Sequence, residues 1–238
     1  MKCYLSTLSL SLLLSLAVAY GDEEGELIFS DDFERTESQE ETDEPGNGWA
    51  TNSKSRAKGN KQVDLKDGAM RIFIHEEADH GVSVKQEVAF TDGAVGMRFM
   101  LEEARDSLGL NFADLKFKEV HAGHLFVTKI SPRQVQLQDL KTGNMDLKIR
   151  EARKAGTTTP EQDAMLKTKM VKFPVDLEVG EWHDLLVEIE GDQLTVSIDG
   201  KEVGQFSSEG IAHPTKRALR LAVPRNAVVD DIQIWRKK

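Results

Sequence analysis

Residues 181–203 read EWHDLLVEIEGDQLTVSIDGKEV, and this stretch decides the fold class. Apolar side chains fill every second position of Leu185–Ile189 and again of Leu194–Ile198. A period of two is typical of a strand that buries one face. Gly191-Asp192 and Asp199-Gly200 are the glycine-containing pairs that form tight hairpin turns. The stretch therefore predicts successive antiparallel strands.

The same alternation extends outward over most of the chain. It recurs in residues 27–29, 70–74, 82–88, 95–101, 108–112, 125–130, 135–140, 219–223 and 228–235. Asp67-Gly68 and Asp92-Gly93 are further hairpin signals. Roughly a dozen short strands joined by turns predict an all-β fold, a two-sheet antiparallel jelly-roll sandwich. We expect its last strand to pair with its first.

One segment, residues 143–172, has helical character instead. Leu147–Ala155 predicts a first helix that Gly156 ends. Thr159 is a predicted N-cap, with Pro160 at the first helical position and Gln162 completing a capping box. We expect the second helix to carry Met170 on its apolar side and to stop at Pro174. This two-helix insertion either covers a sheet edge or forms a lid over a site.

The charge is unevenly distributed. The chain of 238 residues has 31 Lys and Arg against 41 Asp and Glu, a net charge of −10. Residues 22–44 hold twelve of those acids and only Arg35 as a base, so residues 45–238 are electroneutral. Because nucleic-acid binding needs a basic face, this body argues against such a partner. In the acidic segment we expect only Asp31 and Asp32 to have fixed positions.

The first 19 residues predict a signal peptide. A short basic start precedes an uncharged run rich in Leu, Ser and Ala, and Ala17-Val18-Ala19 is a small-x-small cleavage pattern. A membrane anchor is the alternative, but the run is shorter than the roughly 20 residues that a spanning helix needs. We therefore expect an exported protein, periplasmic or extracellular, with no membrane span after cleavage. Residues 20–26 form an acidic lead-in, and residues 27–238 form the sandwich.

Cysteine use bears on the chemistry available to the mature protein. The only cysteine, Cys3, lies in the predicted signal peptide. The mature chain is therefore expected to lack disulfides, thiol catalysis and a cysteine-ligated zinc site.

Four short motifs resemble a known superfamily in their order along the chain. They are Phe29–Phe33, Gly46–Trp49, Val179–Asp184 and Val229–Trp235. Together they resemble concanavalin A-like, laminin-G-like jelly rolls, and the nearest resemblance is to the 3-keto-disaccharide hydrolase domain family of exported bacterial proteins. The resemblance implies a carbohydrate or glycoside partner, through glycan binding or metal-assisted cleavage of 3-keto-glycosides. A non-enzymatic laminin-G-like adhesion or interaction domain is the alternative.

Ordinary glycoside hydrolysis needs two carboxylates on either side of the scissile bond. Jelly-roll glucanases that resemble this fold carry them as Glu-x-Asp-x-x-Glu or Glu-x-Asp-x-Glu on one strand, and no such run exists here. Glu188 and Glu190 share a strand face, but the pair reads as a solvated outer face at the end of the strand. Retaining hydrolysis is therefore not expected.

Two histidine clusters are candidate ligands for one divalent cation. The first comprises His75, Asp79 and His80, and the second comprises Glu119, His121 and His124. Imidazole and carboxylate are suitable ligands for such a metal. The alternative is that both clusters are polar loops with incidental histidines.

A glycan site usually includes an aromatic ring on which a sugar stacks. Trp49, with Asn47 beside it, lies in a glycine-rich loop and is the candidate for that role. A tryptophan that plugs the core under this loop is the alternative. The basic stretch Lys54–Lys61 follows, and it can pair either with the acidic segment or with an anionic glycan.

Overall fold

Two antiparallel β-sheets stack on each other in the computed structural model, which describes residues 25–237. The predicted signal peptide and most of the acidic lead-in lie outside these residues. No helix within them is long and apolar enough to cross a membrane. The predicted all-β jelly-roll sandwich is thus confirmed.

The strands are β1 Glu26–Asp31, β2 Ala50–Thr51, β3 Val63–Lys66, β4 Ala69–Phe73, β5 Val82–Phe90, β6 Gly93–Met100, β7 Leu108–Ala113, β8 His124–Ser131, β9 Gln134–Asp139, β10 Met170–Pro174, β11 Trp182–Glu190, β12 Gln193–Ile198, β13 Lys201–Ser207, β14 Lys216–Val223 and β15 Asn226–Arg236. The helices are α1 Ser53–Arg56, α2 Leu147–Ala155 and α3 Pro160–Thr168, with a 3₁₀ turn at His121–Gly123.

The front sheet has the strand order β10-β9-β8-β7-β14-β5-β2. The back sheet has the order β13-β12-β11-β6-β15-β4-β3, and β1 also pairs with β15. The first and last strands are therefore neighbours, as predicted. Between the sheets lies one core of alternating apolar side chains, among them Phe99, Phe112, Leu185, Leu219 and Ile234.

Three of the four predicted turns are hairpins within the back sheet. Asp67-Gly68 and Asp199-Gly200 each have two successive positive φ values, of 54° and 72° and of 52° and 72°, which is the backbone of a type I′ turn. Gly191-Asp192 joins β11 to β12. The prediction of a hairpin at Asp92-Gly93 is wrong, because β5 belongs to the front sheet and β6 to the back sheet. This connection crosses the sandwich.

The helical insertion has the predicted caps but a different end. Gly156 ends α2 with a φ of 66°, and Thr159 and Gln162 form the capping box of α3. The second helix stops at Thr168, whereas the sequence predicted a helix up to Pro174. Met170–Pro174 instead pairs with β9 as an edge strand, because Val171 and Phe173 alternate toward the core. Pro174 is tolerated at that edge.

More of the acidic segment has fixed positions than the sequence predicted. The Glu37 carboxylate accepts hydrogen bonds from Lys61 Nζ at 2.8 Å and from the Leu65 amide at 3.1 Å. Asp43 accepts from the amides of Gln62 at 2.6 Å and Val63 at 2.9 Å. These bonds hold the segment against β3. The basic stretch therefore pairs with the acidic segment through Lys61.

Candidate functional site

The strand register of the front sheet brings two rows of side chains onto its outer face. One row runs across five strands as Ser83, Ala222, Gly109, Lys129 and Gln136. The row beside it runs as Lys85, Arg220, Asn111, Val127 and Gln138. Residues directly opposite each other in a sheet point to the same side. Both rows therefore face away from the core.

A groove of about 490 Å³ follows these rows, and we call it the sheet groove. Its floor is formed by the two rows without Lys85, and the loop residues His80, Gly81 and Pro224 also line it. The lining residues are His80, Gly81, Val82, Ser83, Gly109, Asn111, His124, Val127, Lys129, Gln136, Gln138, Arg220, Ala222, Val223 and Pro224. The groove is thus open, elongated and lined by short aliphatic and polar side chains.

His124 lies at one end of the sheet groove against the buried side chain of Asn111. Nδ1 of His124 is 2.8 Å from Oδ1 of Asn111. Because an amide oxygen only accepts, this geometry favours the tautomer with the proton on Nδ1. Burial, together with the neighbouring Arg220, lowers the pKa of His124 to about 4. The imidazole is therefore neutral at physiological pH and carries a free lone pair on Nε2.

Arg220 lies beside this histidine in the groove floor, where it begins the row that continues to Asn111. Its Nη2 donates to the Ala122 carbonyl at 2.9 Å, and its Nη1 is 3.3 Å from Nδ1 of His124. Burial lowers the pKa of the guanidinium. Within the part of the chain that the structure describes, no carboxylate lies within 4.0 Å of it. With the proton of His124 on Nδ1, the Ala122 carbonyl is the one described acceptor for the five N–H donors of Arg220.

The helical insertion attaches at the same end of the groove. The amide of His121 donates to the Met145 carbonyl at 2.8 Å, and the amide of Leu147 donates to the Glu119 carbonyl at 3.2 Å. Burial lowers the pKa of His121, and Arg150 and Lys154 of α2 lower it further. The insertion therefore brings two cations close to the histidine end of the groove.

No aspartate or glutamate is among the described residues that line the sheet groove. On the same face of β5, Glu87 lies two residues beyond Lys85, and Lys85 Nζ binds its carboxylate at 2.7 Å. Hydrolysis of ordinary glycosides needs a carboxylate pair about 5–10 Å apart. The described lining therefore contains no such carboxylate pair.

The predicted metal ligands are only partly brought together. His80 and His124 line the sheet groove, and the rings of His121 and His124 are 6.3 Å apart between centroids. His75 lies away from the groove, where its amide donates to Gln62 Oε1 at 3.0 Å, and Asp79 faces Arg56 at 3.5 Å. Glu119 is exposed on the loop before His121.

A single group of three potential ligands within 4.8 Å of one another exists among residues 25–237, and it contains none of the six predicted residues. It consists of Glu37, Glu40 and Asp64. Lys61 already occupies this group, with Nζ at 2.8, 3.0 and 2.5 Å from the three carboxylates. The group is therefore an internal ion-pair network.

Trp49 is not available for sugar stacking, which corrects the sequence-based interpretation. The residue is only 7% exposed, and its ring packs edge-on to Phe29 with centroids 5.6 Å apart. Its Nε1 donates to Asp31 at 2.8 Å. The structure agrees with the alternative interpretation, in which the Trp49 ring packs into the core under the loop. The loop is anchored because Asp31 accepts this bond from inside the sandwich.

Asn47 is exposed and lies on a different surface from the sheet groove. It borders a smaller hollow of about 340 Å³ with Asp31, Arg35, Asp231 and Gln233. A larger hollow of about 650 Å³ lies where the loop after β10 faces the β12–β13 hairpin. Its charged residues have both signs, as with Asp199 and Lys201.

The main residues of the groove were missed by sequence reasoning, although a signal was present. The alternation that identified Leu110, Leu137 and Leu221 as core residues leaves Asn111, Gln138 and Arg220 at the intervening positions. Such positions face outward in a sheet that packs on one side only. The sequence could thus have predicted which polar residues face outward, but not which of them are neighbours across the sheet.

No protein-family model matches this sequence, and no curated protein matches it. Solved structures are similar in fold. The laminarinase from Flavobacterium sp. UMI-01 has a TM-score of 0.59 at 10% identity, over 89% of this chain and 100% of that one. The laminarinase from Rhodothermus marinus has a TM-score of 0.56 at 12% identity, over 89% and 97%. The carbohydrate binding module CBM66 from Bacillus subtilis has a TM-score of 0.51 at 11% identity, over 78% and 93%.

Identities this low establish the fold alone. The chain has the two-sheet jelly-roll fold of these two laminarinases and of this carbohydrate binding module.

Proposed function

We propose that this protein is an exported carbohydrate-binding domain that holds its ligand in the sheet groove. The observation that carries the proposal is the groove itself, a channel of about 490 Å³ across the front sheet with polar side chains at alternating positions and no carboxylate among its described lining residues. An elongated, open groove matches a chain of sugar rings better than a small compact ligand. Laminarinases and a carbohydrate binding module are among the proteins of similar fold, which is consistent with this ligand class.

The chemistry of the lining suits saccharides in two ways. The amides of Gln136 and Gln138, which are linked to each other at 3.1 Å, offer donors and acceptors for hydroxyl groups. Val127 and Ala222 offer aliphatic surface for the C–H faces of the rings. Since the described lining has no tryptophan or tyrosine, binding relies on hydrogen bonds and shape rather than on aromatic stacking.

Filling the groove tests the proposal. We expect the purified protein to bind at least one oligosaccharide in a glycan array, and the substitution Ala222→Trp to lower the affinity at least about tenfold, since the indole occupies the space of the ligand. The measurement is titration calorimetry with the oligosaccharide found on the array.

The matched control is Ala89→Trp, which places the same side chain on an exposed position of β5 outside the groove lining. It should bind like the unmodified protein. Absence of binding across the array, or equal affinity of both tryptophan variants, would contradict the proposal. Binding to a protein ligand that Ala222→Trp does not affect would favour the laminin-G-like interaction domain instead.

Cleavage of 3-keto-glycosides is a second candidate, favoured by the neutral imidazole of His124 beside the Arg220 guanidinium, 3.3 Å away. Nε2 of the imidazole can accept the acidified C2 proton of a 3-keto sugar, and the cation can stabilise the enolate oxygen. The electron pair of the enolate then expels the aglycone as the C1–O bond breaks, and the imidazolium can return the proton to the leaving oxygen. A pKa of about 4 makes His124 a weak base, so we expect slow turnover at most.

The divalent cation stays a prediction within this second candidate. His80, His121 and His124 are the three predicted ligands nearest to the groove, and the structure does not bring their ligand atoms within 4.8 Å of one another. Turnover of a 3-keto-glucoside that disappears on chelation and in His124→Gln would support a metal-dependent lyase.

A further inference from the structure

We propose that the ligand of the sheet groove is an anionic saccharide whose carboxylate or sulfate group binds Arg220. This inference rests on the proposed function and names its ligand class. The first observation is a difference in charge between the groove and the whole protein. The chain has a net charge of −10, whereas the described lining of the groove contains cations and no acid.

Arg220 has no carboxylate within 4.0 Å among the described residues, although burial lowers the pKa of its guanidinium. Arg150, Arg153 and Arg225 also have no such partner, but they lie outside the groove lining. Arg98 has Asp230 at 3.4 Å, Arg217 has Asp114 at 3.2 Å, and Arg236 has Glu26 at 2.7 Å. Arg220 has only a carbonyl and an imidazole beside it, at 2.9 and 3.3 Å. Burying even half of a guanidinium with unpaired N–H donors costs free energy, unless an anion accepts hydrogen bonds from those donors.

Other cations near Arg220 add to the positive charge of the groove. Lys129 lies in the groove floor, and Arg150 of α2 is near enough to lower the pKa values of both His121 and His124. Arg220 and Lys85 are direct partners on neighbouring strands, an arrangement of like charges that destabilises a sheet. Glu87, which binds Lys85, offsets only part of this charge.

The open donors determine which ligand groups fit. A guanidinium binds carboxylates and other oxyanions through two parallel N–H···O bonds, which a neutral hydroxyl cannot accept. Arg220 lines a groove that also offers Gln136 and Gln138 for hydroxyl groups. A sugar chain with an acidic residue at Arg220 can bind the guanidinium through its anion and the glutamine amides through its hydroxyl groups.

The test compares three probes in titration calorimetry: an oligogalacturonate for carboxylate, a sulfated galactan oligosaccharide for sulfate, and a laminarin oligosaccharide as the neutral reference. We expect one or both anionic probes to bind at least about tenfold more tightly than the neutral one, with affinity falling as salt rises. Arg220→Gln should lower the affinity for the anionic probe at least about tenfold and leave the neutral probe unchanged.

The control is Arg71→Gln, which removes the same charge from an exposed position of β4 on the back sheet. It should bind like the unmodified protein. A second readout separates binding from folding: Arg220→Gln should unfold at the same temperature as Arg71→Gln or higher, because it removes a half-buried charge that has no carboxylate partner.

The possible failures are distinguishable. Equal affinity for neutral and anionic probes, with no effect of Arg220→Gln but a loss in Ala222→Trp, overturns the anionic ligand and leaves glycan binding in the groove intact. Absence of binding by all probes and across the glycan array overturns both. A lowered unfolding temperature in Arg220→Gln with unchanged affinity assigns Arg220 a structural role and also overturns the inference.

Discussion

The substitution Asp31→Ala should lower the free energy of unfolding by about 3–5 kcal/mol, the usual cost of removing one partner from a buried charge pair. The carboxylate is 1% exposed, and it accepts hydrogen bonds from Arg35 Nη1 at 2.5 Å and Nη2 at 3.0 Å. It also accepts from the Phe33 amide at 3.0 Å and from Trp49 Nε1 at 2.8 Å. Alanine leaves all four donors without this acceptor.

The measurement is urea unfolding followed by circular dichroism, with Asp32→Ala as the control. Asp32 is the adjacent, exposed aspartate, and it accepts from the Glu34 amide at 3.2 Å, so its loss should cost within about 1 kcal/mol. Equal stability of the two variants would show that Asp31 does not anchor the loop of Trp49.

The effect of Asp31→Ala should also depend on pH. Burial raises the pKa of Asp31, but the bonds from Arg35, Phe33 and Trp49 lower it by more, so the net shift is downward. A carboxylate with a lowered pKa stabilises the fold above the unfolded value of about 3.9, and that contribution is lost as the pH falls through the folded value. The stability difference between the protein and the variant should therefore narrow in acid.

The substitution Asp139→Ala has the second largest expected effect, about 2–4 kcal/mol, from the loss of an acceptor that serves several buried donors. Asp139 ends β9 with a side chain that is 0% exposed. It accepts from the amide of Thr142 at 3.0 Å and its hydroxyl at 2.5 Å, at the start of the helical insertion. It also accepts from Ser208 Oγ at 2.6 Å and the Gly210 amide at 3.0 Å, in the loop after β13.

Because these bonds join the insertion to that loop, the variant should also be cleaved faster by a protease between α2 and α3. The control is Glu209→Ala, which removes the exposed partner of Lys169, 3.3 Å away, from the same loop. Its cost should stay within about 1 kcal/mol. A similar loss of stability in both variants would mean that the buried acceptor is not what holds this junction.

The sequence predicted those parts of the fold that depend on local patterns. Alternation identified the inward residues of the strands, Asp67-Gly68 and Asp199-Gly200 identified hairpins, and Gly156 and Thr159 identified helix ends. Asp92-Gly93 misled because the same dipeptide also suits a crossing between sheets. Gly93 is needed there because a side chain would overlap the Trp235 carbonyl of β15, a contact distant in sequence.

The candidate site was much harder to predict because strand order creates it. Asn111, His124 and Arg220 come from β7, β8 and β14, and only the pairing of β14 with β7 places Arg220 opposite Asn111. For Trp49, by contrast, the local sequence predicted an exposed ring that a contact distant in sequence buries. Its loop is rich in glycine, but the ring turns inward because the buried Asp31 accepts the indole N–H.

The most direct test of glycan binding in the sheet groove is a nuclear magnetic resonance titration of the ¹⁵N-labelled protein with the oligosaccharide that binds most tightly. We predict that the amide signals of Gly109, Val127 and Ala222 shift with ligand, because these residues form the groove floor. The signals of Arg71 and Thr195, on the back sheet, should stay unchanged. Shifts confined to the back sheet, or to the hollow beside Pro174 and Lys201, would contradict the account.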